Sequence, residues 1–221
     1  MTESGATSVR VLIVDDHLMF AESLARLLQD EGDIAVVGLA PTGAEAIEMC
    51  GRLAPDVVLI DYRMPDRDGV EVSADIKERN PQIMVVMLTG ASDDRVLLAS
   101  IEAGCSGFLT KDRAASEVAI AVRSAAAGEA LITPAMLARL LPKLNRRQSG
   151  VGTELTAREH EVMTCMARGW SNKATATELY LSVNTVRNYT QSILTKLGAH
   201  SKLEAVSKAV QEGIVDYPNH S

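Results

Sequence analysis

The sequence predicts a doubly wound α/β domain with a five-stranded parallel sheet, followed by an all-α domain of four helices. Five short apolar runs alternate with stretches of helical periodicity as far as Gly128. The runs are continuously apolar and rich in β-branched residues, which is typical of parallel strands buried on both faces. From Thr153 onward only helical patterns remain, so the alternation typical of parallel α/β folds ends before that residue.

The elements of the first domain, predicted over residues 1–130, can be placed in chain order. Strands are predicted at 9–14, 35–39, 57–60, 84–88 and 107–110. Helices are predicted near 17–30, 43–53, 69–79, 93–103 and 114–127. Thr42 and Glu45 have the spacing of a capping box, which marks the start of the second helix.

A linker with a short amphipathic helix at 134–144 is predicted over residues 131–152, where a polar, glycine-containing run follows that helix. The four helices of the second domain are predicted within residues 153–221. Their expected N-terminal signals are hydroxyl side chains, and glycine is expected at their ends. The N-terminal signals are Thr156 with Glu159, Ser171, Ser182, and Ser201 with Glu204, and the glycines expected at helix ends are Gly169, Gly198 and Gly213.

Composition limits the function classes. The net charge is −7, but residues 1–142 carry 12 Lys and Arg against 22 Asp and Glu, whereas residues 153–221 carry seven of each sign. This charge balance argues against a protein that coats nucleic acid nonspecifically, but it is compatible with DNA binding through a local basic face. Three widely spaced cysteines fit neither a disulfide framework nor a metal site. With no signal peptide pattern and no apolar run of about 18 residues, we expect a cytoplasmic protein without membrane association.

Carboxylates end two of the predicted strands: Asp15 and Asp16 the first, and Asp61 the third. Ligands of open α/β sheets bind beyond the carboxyl ends of the strands. Three carboxylates at one edge repel each other unless a cation lies among them, and oxygen ligands alone suit Mg²⁺ with phosphate as a further ligand. The pattern predicts an aspartate that accepts a phosphoryl group.

Thr89 and Lys111 end the fourth and fifth predicted strands. A hydroxyl, an ammonium and a cation around an attacking carboxylate would neutralise the oxygens of a transferred phosphoryl group and hold it in line. Together with Asp15-Asp16 and with Asp61 followed by Met64-Pro65 and Gly69, these residues resemble the receiver domain of two-component response regulators, which has a flavodoxin-like fold.

The resemblance assigns roles over roughly residues 9–128. Asp61 would be the phosphoacceptor, and the phosphodonor would be a phosphohistidine on a sensor histidine kinase. Thr89 and Lys111 would contact the phosphoryl group, and Phe108 lies where the family has a rotating aromatic switch. The resemblance implies that Mg²⁺ is held by Asp15, Asp16, Asp61 and the backbone carbonyl of Arg63.

An enzyme is the main alternative for such a site. Phosphatases of the haloacid-dehalogenase type have a second aspartate two residues after the nucleophile, but here His17 follows Asp15 and Arg63 follows Asp61 at that spacing. The sequence also lacks a Walker-type loop. We therefore expect a protein that is not an enzyme, and we expect His17 to be a first-turn helix residue and not a ligand.

The second domain resembles the LuxR-type helix-turn-helix, on three segments: 155–162, 169–173 and 182–198. On the predicted helix 182–197, a stripe at 3.6-residue spacing is expected to face the core. That stripe consists of Val186, Thr190, Ile193 and Leu197. Arginine reads guanine, and Asn or Gln reads adenine, in the major groove. The predicted DNA contacts are Lys173, Asn184, Thr185, Arg187, Asn188, Gln191 and Lys196.

Four positions depart from the family pattern. Ala174-Thr175 replaces the usual Glu-Ile, so that Thr175 is expected to weaken its helix or to bond back to the chain. Tyr189 stands where a histidine is common, and Gln191 is neutral. The affinity for DNA is therefore expected to be modest and its salt dependence shallow.

Taken together, the two resemblances indicate a NarL/FixJ-type transcriptional response regulator. Phosphorylation of Asp61 would control sequence-specific DNA binding, with the acidic receiver covering the reading helix before phosphorylation. The active form is expected to be a homodimer that binds paired half-sites, with the last helix, near 202–212, as the dimer contact implied by the family. A DNA-binding regulator independent of phosphorylation and a protein-interaction adaptor remain the alternatives.

Overall fold

The computed structural model describes residues 8–90, 94–129 and 155–215 of the chain. The first of its two parts contains five parallel strands in the order β2-β1-β3-β4-β5. The strands are β1 (Val9–Val14), β2 (Ile34–Ala40), β3 (Val57–Asp61), β4 (Met84–Thr89) and β5 (Gly107–Thr110). The helices are α1 (Leu18–Gln29), α2 (Gly43–Leu53), α3 (Gly69–Arg79), α4 (Asp94–Glu102) and α5 (Ala115–Ala126). The predicted doubly wound fold is confirmed.

Helices cover both faces of the sheet. One apolar cluster joins one face of the strands to α1 and α5, and another joins the opposite face to α2, α3 and α4. Because both faces of the sheet are buried by helices, β1 and β3 are continuous apolar runs in the sequence. The strand order reverses between β1 and β3, so the space beyond their carboxyl ends is the topological switch point at which ligands bind in such sheets.

The second part consists, in the described residues, of α6 (Ala157–Ala167), α7 (Asn172–Glu178), α8 (Val183–Lys196) and α9 (Lys202–Gln211). A Ser or Thr side chain caps each helix by accepting from the backbone N–H three residues on. The capping box at Thr156 is complete. The box predicted at Thr42 is only half formed, because the Glu45 carboxylate meets the Thr42 hydroxyl and not its backbone N–H.

The two parts contact each other. Helix α9 packs against α4, and the Asn172 side-chain amide donates to the Ala127 carbonyl at 3.3 Å. Gly104, in the turn after α4, has φ +84°, and a Cβ there would lie only 2.9 Å from the Cβ of His200. One buried apolar cluster includes Leu97 of α4 and Leu203 of α9. The two parts therefore share a core in this structure.

The predicted helix at 134–144 lies outside the described residues. The domain limits proposed from the sequence remain predictions. Among the described helices none has the length and apolar character needed to cross a bilayer.

Candidate functional site

The carboxylates that end β1 and β3 lie together at the topological switch point. Asp15 and Asp61 are almost fully buried, at 2% and 3% exposure, whereas Asp16 is exposed. One potential ligand atom each from Asp15, Asp16, His17 and Asp61 falls in a group whose members all lie within 4.8 Å of one another. The structure thus brings together the three carboxylates that the sequence placed at one sheet edge.

Lys111, at the end of β5, reaches into this group. Its Nζ lies 2.6 Å from Asp15 Oδ2 and 2.8 Å from Asp61 Oδ2. Burial alone would lower the pKa of Lys111, but the hydrogen bonds and charges of the two carboxylates outweigh it and raise that pKa. The ammonium is therefore charged at neutral pH and offsets part of the negative charge of the site.

One ammonium does not neutralise three carboxylates. Burial raises the pKa of Asp61 above its ordinary value, Lys111 opposes that shift, and the charge of Asp15 adds to it. A cation bound nearby would stabilise the ionised form of such a carboxylate. The oxygen-rich donor set of the site suits a hard divalent ion such as Mg²⁺.

An open cavity of about 600 Å³ lies over these residues. Thr89, which is 4% exposed, lines it at the end of β4, and the exposed Arg63 lines it from the loop after β3. This space is large enough for a phosphoryl group between Asp61, Thr89 and Lys111. Asp61 and Thr89 are the last residues of β3 and β4, and Lys111 directly follows β5, so the sheet fixes their spacing.

The loop after β3 is held tightly under the site. Gly69 donates its N–H to the Tyr62 carbonyl at 2.8 Å, and a Cβ on Gly69 would lie 2.2 Å from the carbonyl oxygen of Asp61. Only glycine fits that approach. The Asp66 carboxylate accepts from the N–H groups of Gly43 and Ala44 at 3.0 Å each, which ties the loop to the start of α2. The loop that carries Arg63 is therefore anchored at both ends.

Sequence reasoning missed two residues of the site. His17 is the N-cap of α1 and not a first-turn residue, and its Nδ1 lies 2.8 Å from Asp16 Oδ1 and 3.3 Å from Asp15 Oδ1. The expectation that His17 is a first-turn residue is therefore wrong by one position, and the expectation that it is not a ligand stays a prediction. The Phe20 ring lies 4.9 Å from Lys111 Nζ, a cation–π contact that the sequence did not predict. The only sequence signal for Phe20 was its position in the first helical turn after Asp15 and Asp16.

Phe108, the predicted switch residue, is 4% exposed and belongs to the buried cluster on the α2–α4 face of the sheet. Its strand partner is Met87 of β4, two residues before Thr89. The two side chains assigned to the switch therefore lie on neighbouring strands. Rotation of Phe108 remains a prediction.

Helix α8 has the two faces that its sequence predicted. Val186, Thr190 and Ile193 are buried, and Leu197 is half-buried. The side chains predicted to read DNA are exposed on the opposite side: Asn184, Arg187, Asn188 and Gln191. Thr185 is half-buried with its hydroxyl 2.8 Å from that of Ser182, and Lys173 is exposed on α7.

Lys196 is engaged within the domain. Its Nζ donates to Glu159 Oε2 at 2.6 Å, and Glu159 also accepts from the Ser192 hydroxyl at 2.6 Å and the Thr156 N–H at 2.7 Å. Burial alone would raise the pKa of Glu159, but these hydrogen bonds lower it to about 2. A DNA phosphate that contacts Lys196 would share the ammonium with Glu159.

The Thr175 side chain is 1% exposed, and its hydroxyl has no hydrogen-bond partner. The expected bond back to the chain is therefore not formed, and the expected weakening of α7 stays a prediction.

Part of the predicted DNA-reading face of α8 points toward the sheet domain. A cavity of about 320 Å³ between the two parts is lined by Arg187 and Gln191 from α8 and by Glu129 from the end of the first part. A DNA duplex would have to occupy part of that space in order to meet Arg187.

Comparisons with known proteins agree with both halves. The model of the response regulator receiver domain matches residues 11–123, and that of bacterial regulatory proteins of the luxR family matches residues 153–209. The "Probable transcriptional regulatory protein NarL" of Mycobacterium tuberculosis is 34% identical over 98% of this chain and 100% of its own length. "Response regulator protein VraR" of Staphylococcus aureus is 34% identical over 94% and 99%. The crystal structure of response regulator ChrA, from a heme-sensing two-component system, is 30% identical over 95% of this chain and 100% of that one, with a TM-score of 0.51.

Proposed function

The chain belongs to the two-component response regulators that join a receiver domain to a LuxR-family DNA-binding domain, and from that premise we propose that phosphorylation of Asp61 controls its binding to specific DNA sequences. The burial of Asp61 beside Lys111 and the other carboxylates is the single observation that carries this proposal. Isolated loop carboxylates are not arranged in this way.

The reaction that fits the site is phosphoryl transfer from a phosphohistidine of a sensor kinase. A carboxylate oxygen of Asp61 attacks the phosphorus, the new O–P bond forms, and the P–N bond breaks, with the electron pair leaving on the histidine nitrogen. Asp15, Asp16, Asp61 and the Arg63 carbonyl would hold Mg²⁺, which when bound neutralises charge on the phosphoryl oxygens. Lys111 would exchange one carboxylate partner for a phosphoryl oxygen.

The same exchange would transmit the signal. A phosphoryl group on Asp61 offers acceptors that the Thr89 hydroxyl reaches by moving inward, and Phe108 on the neighbouring strand would fill the space that Thr89 leaves. Helix α4 connects β4 to β5, so a shift at either strand end would change the surface on which α9 packs.

The contacts between the two parts support an inhibited state before phosphorylation. Arg187 faces the cavity between them, and α9 packs on α4 with Leu203 and Val206 buried. In the family the last helix forms the dimer contact, and here that helix packs against α4 of the chain's own receiver. Phosphorylation would release both the reading helix and the dimer face, and a homodimer would then bind two half-sites.

A cytoplasmic location remains a prediction. The three cysteines are buried free thiols, which is consistent with the reduced compartment that their spacing suggested.

Selection of bound fragments from a genomic DNA pool tests the proposed function. The chain would be incubated with and without acetyl phosphate and Mg²⁺, and wild type would be compared with Asp61→Asn. Enrichment that depends on phosphate and is absent from Asp61→Asn is the expected result. Equal enrichment in all arms would establish constitutive DNA binding instead, and enrichment in none would favour a protein-interaction adaptor.

A further inference from the structure

The turn between α7 and α8 contains an unusual residue. After α7 the backbone N–H of Leu181 donates to the Ala176 carbonyl at 2.8 Å, and that of Tyr180 to the Thr177 carbonyl at 3.4 Å. These two bonds form a Schellman motif, whose penultimate residue adopts the left-handed conformation. Tyr180 has φ +53°, a conformation that is uncommon for a bulky side chain.

The other helices of the same domain end in the same way but with glycine. Helices α6, α8 and α9 are each closed by the same pair of backbone bonds, around Gly169, Gly198 and Gly213. All three glycines have positive φ. The backbone geometry of these turns therefore favours glycine, and it gives no reason for a tyrosine at position 180.

Packing does not account for Tyr180 either. Its side chain is 96% exposed, whereas Tyr62 and Tyr189 are half-buried and pack against the core. Nearly the whole ring is in water and stabilises nothing within the chain. A residue that strains its backbone without packing gain is a candidate for a contact with a partner.

Its position indicates which partner. Tyr180 lies two residues before Ser182, the N-cap of α8, and the N-terminal end of the second helix of a helix-turn-helix is the end that enters the major groove. The residues just before that end lie over the wall of the groove, which is formed by sugars and phosphates. Tyrosine hydroxyls are among the groups that donate to DNA phosphates.

We infer that Tyr180 is a DNA-backbone contact, with its ring against a deoxyribose and its hydroxyl donating to a phosphate oxygen. The inference rests on the proposed DNA binding and adds a residue outside the predicted reading set. The contact carries no charge, so it raises affinity without releasing counterions. In a domain with seven basic and seven acidic residues over 153–221, such a neutral contact would partly replace missing cations.

The test measures DNA binding and stability of the full chain, treated with acetyl phosphate and Mg²⁺, for wild type and Tyr180→Asn. Asparagine tolerates the left-handed conformation better than tyrosine, so the melting temperature should stay equal or rise. The affinity should fall by about tenfold. Because a backbone contact carries no sequence information, the factor should be the same for a selected fragment and an unrelated duplex.

Two further variants sharpen the result. Lys173→Ala should reduce the slope of log affinity against log salt by about 1, whereas Tyr180→Asn should leave that slope unchanged. Tyr180→Phe should lose part of the affinity, because it keeps the ring and removes the hydroxyl. Met19→Asn, at a side chain 83% exposed on α1 of the receiver, is the control for loss of an exposed apolar group and should bind like wild type.

Wild-type affinity in Tyr180→Asn, while wild type binds DNA, would overturn the contact and leave the proposed function standing; a protein partner would then be the better explanation of the exposed ring. A lower melting temperature together with lost binding would make Tyr180 structural and also overturn it. Wild-type affinity in Tyr180→Phe would overturn the hydrogen bond to phosphate. Failure of phosphorylated wild type to bind any fragment would defeat the function and the contact together.

Discussion

The proposed phosphoacceptor site and the proposed DNA-reading face are built in opposite ways. Asp15, Asp61, Thr89 and Lys111 are brought together by four neighbouring strand ends, and the first three are less than 5% exposed. Arg187 and its neighbours on α8 are instead held apart from the core, on the exposed face of a helix. The side chains of the first site already contact one another within the chain, whereas those of the second would be brought into a common contact only by DNA.

This difference determines how each region should respond to change. A buried group with fixed partners acts as a unit, so loss of one member should remove the activity. Side chains that meet DNA separately should make contributions that are roughly independent and of moderate size. Four variants follow, from the largest expected effect to the smallest. The first two test the two regions directly. The third tests the contact that joins the two parts of the chain, and the fourth tests an ion pair that supports the helical domain.

Asp61→Asn should abolish phosphorylation, because an amide oxygen is not a nucleophile for phosphorus at neutral pH. Intact-protein mass after incubation with acetyl phosphate and Mg²⁺ should show no added phosphoryl group. Asp68→Asn is the matched control in the same loop, since asparagine retains the one acceptor that the backbone N–H of Glu71 needs. A phosphoryl group on the Asp61→Asn protein would contradict the assignment.

Arg187→Ala should weaken binding to a selected fragment by about 5- to 150-fold, the range for a lost bidentate contact to guanine of about 1–3 kcal/mol. Fluorescence anisotropy with fragments that vary one base pair at a time would measure it, and discrimination should relax at one position. Arg158→Ala is the control, because Arg158 pairs with Glu161 on α6. An equal loss on every sequence would show that Arg187 only contacts phosphate.

Gly104→Ala should separate the two parts, because the added methyl meets His200 at 2.9 Å. Gly32→Ala is a close control: Gly32 has φ +77°, similar to the +84° of Gly104, but its Cβ would have no neighbour within 4 Å. Both variants carry the same backbone strain, and only the first disturbs the contact. The unphosphorylated Gly104→Ala protein should bind DNA several-fold more tightly and exchange the amide hydrogens of α9 faster.

If both glycine variants bind DNA equally weakly without phosphate, the contact around Gly104 does not restrain the reading helix. The inhibited state proposed above would then have to depend on other contacts between the two parts.

Glu159→Gln should lower the melting temperature of the helical domain by about 4 °C at pH 7, since it removes the ion pair with Lys196. The pKa of Glu159 is lowered from 4.5 to about 2, so its stabilising effect is complete above pH 4.5 and is lost as the pH falls toward 2. Differential scanning calorimetry from pH 7 to pH 3 should therefore show that the difference in melting temperature between wild type and variant becomes smaller.

Glu161→Gln, at an exposed glutamate paired only with its helix neighbour Arg158, is the comparison and should change the melting temperature little. If the difference in melting temperature between wild type and Glu159→Gln stays constant from pH 7 to pH 3, the Lys196 ion pair adds nothing to stability.

Most of the fold could be predicted because it depends on local signals. Continuous apolar runs located all five strands, and α2 and α3 begin and end where predicted. The strand ends then determined which site residues meet, because parallel strands present their carboxyl ends at one edge. The site was predictable as far as topology alone defines it.

What the sequence did not reveal depends on contacts between residues far apart in the chain. The pairing of Lys196 with Glu159 spans 37 residues, and the approach of His200 to Gly104 crosses from one domain to the other. Local periodicity carries no information on either contact. The role of His17 was missed for a different reason, since its ring could have pointed to solvent instead of to Asp16.

The apolar cluster shared by α4 and α9 has a consequence for signalling strength. A modification shifts an equilibrium only by the difference in its interaction free energy with the two states, and a change from 1:99 to 99:1 takes about 5.5 kcal/mol. One buried methylene is worth about 0.8 kcal/mol, or nearly a fourfold change in population. In the proposed inhibited state, side chains such as Leu97 and Leu203, which lie outside the proposed phosphoacceptor site, would therefore set both the basal leakage of transcription and the stimulus needed for a full response.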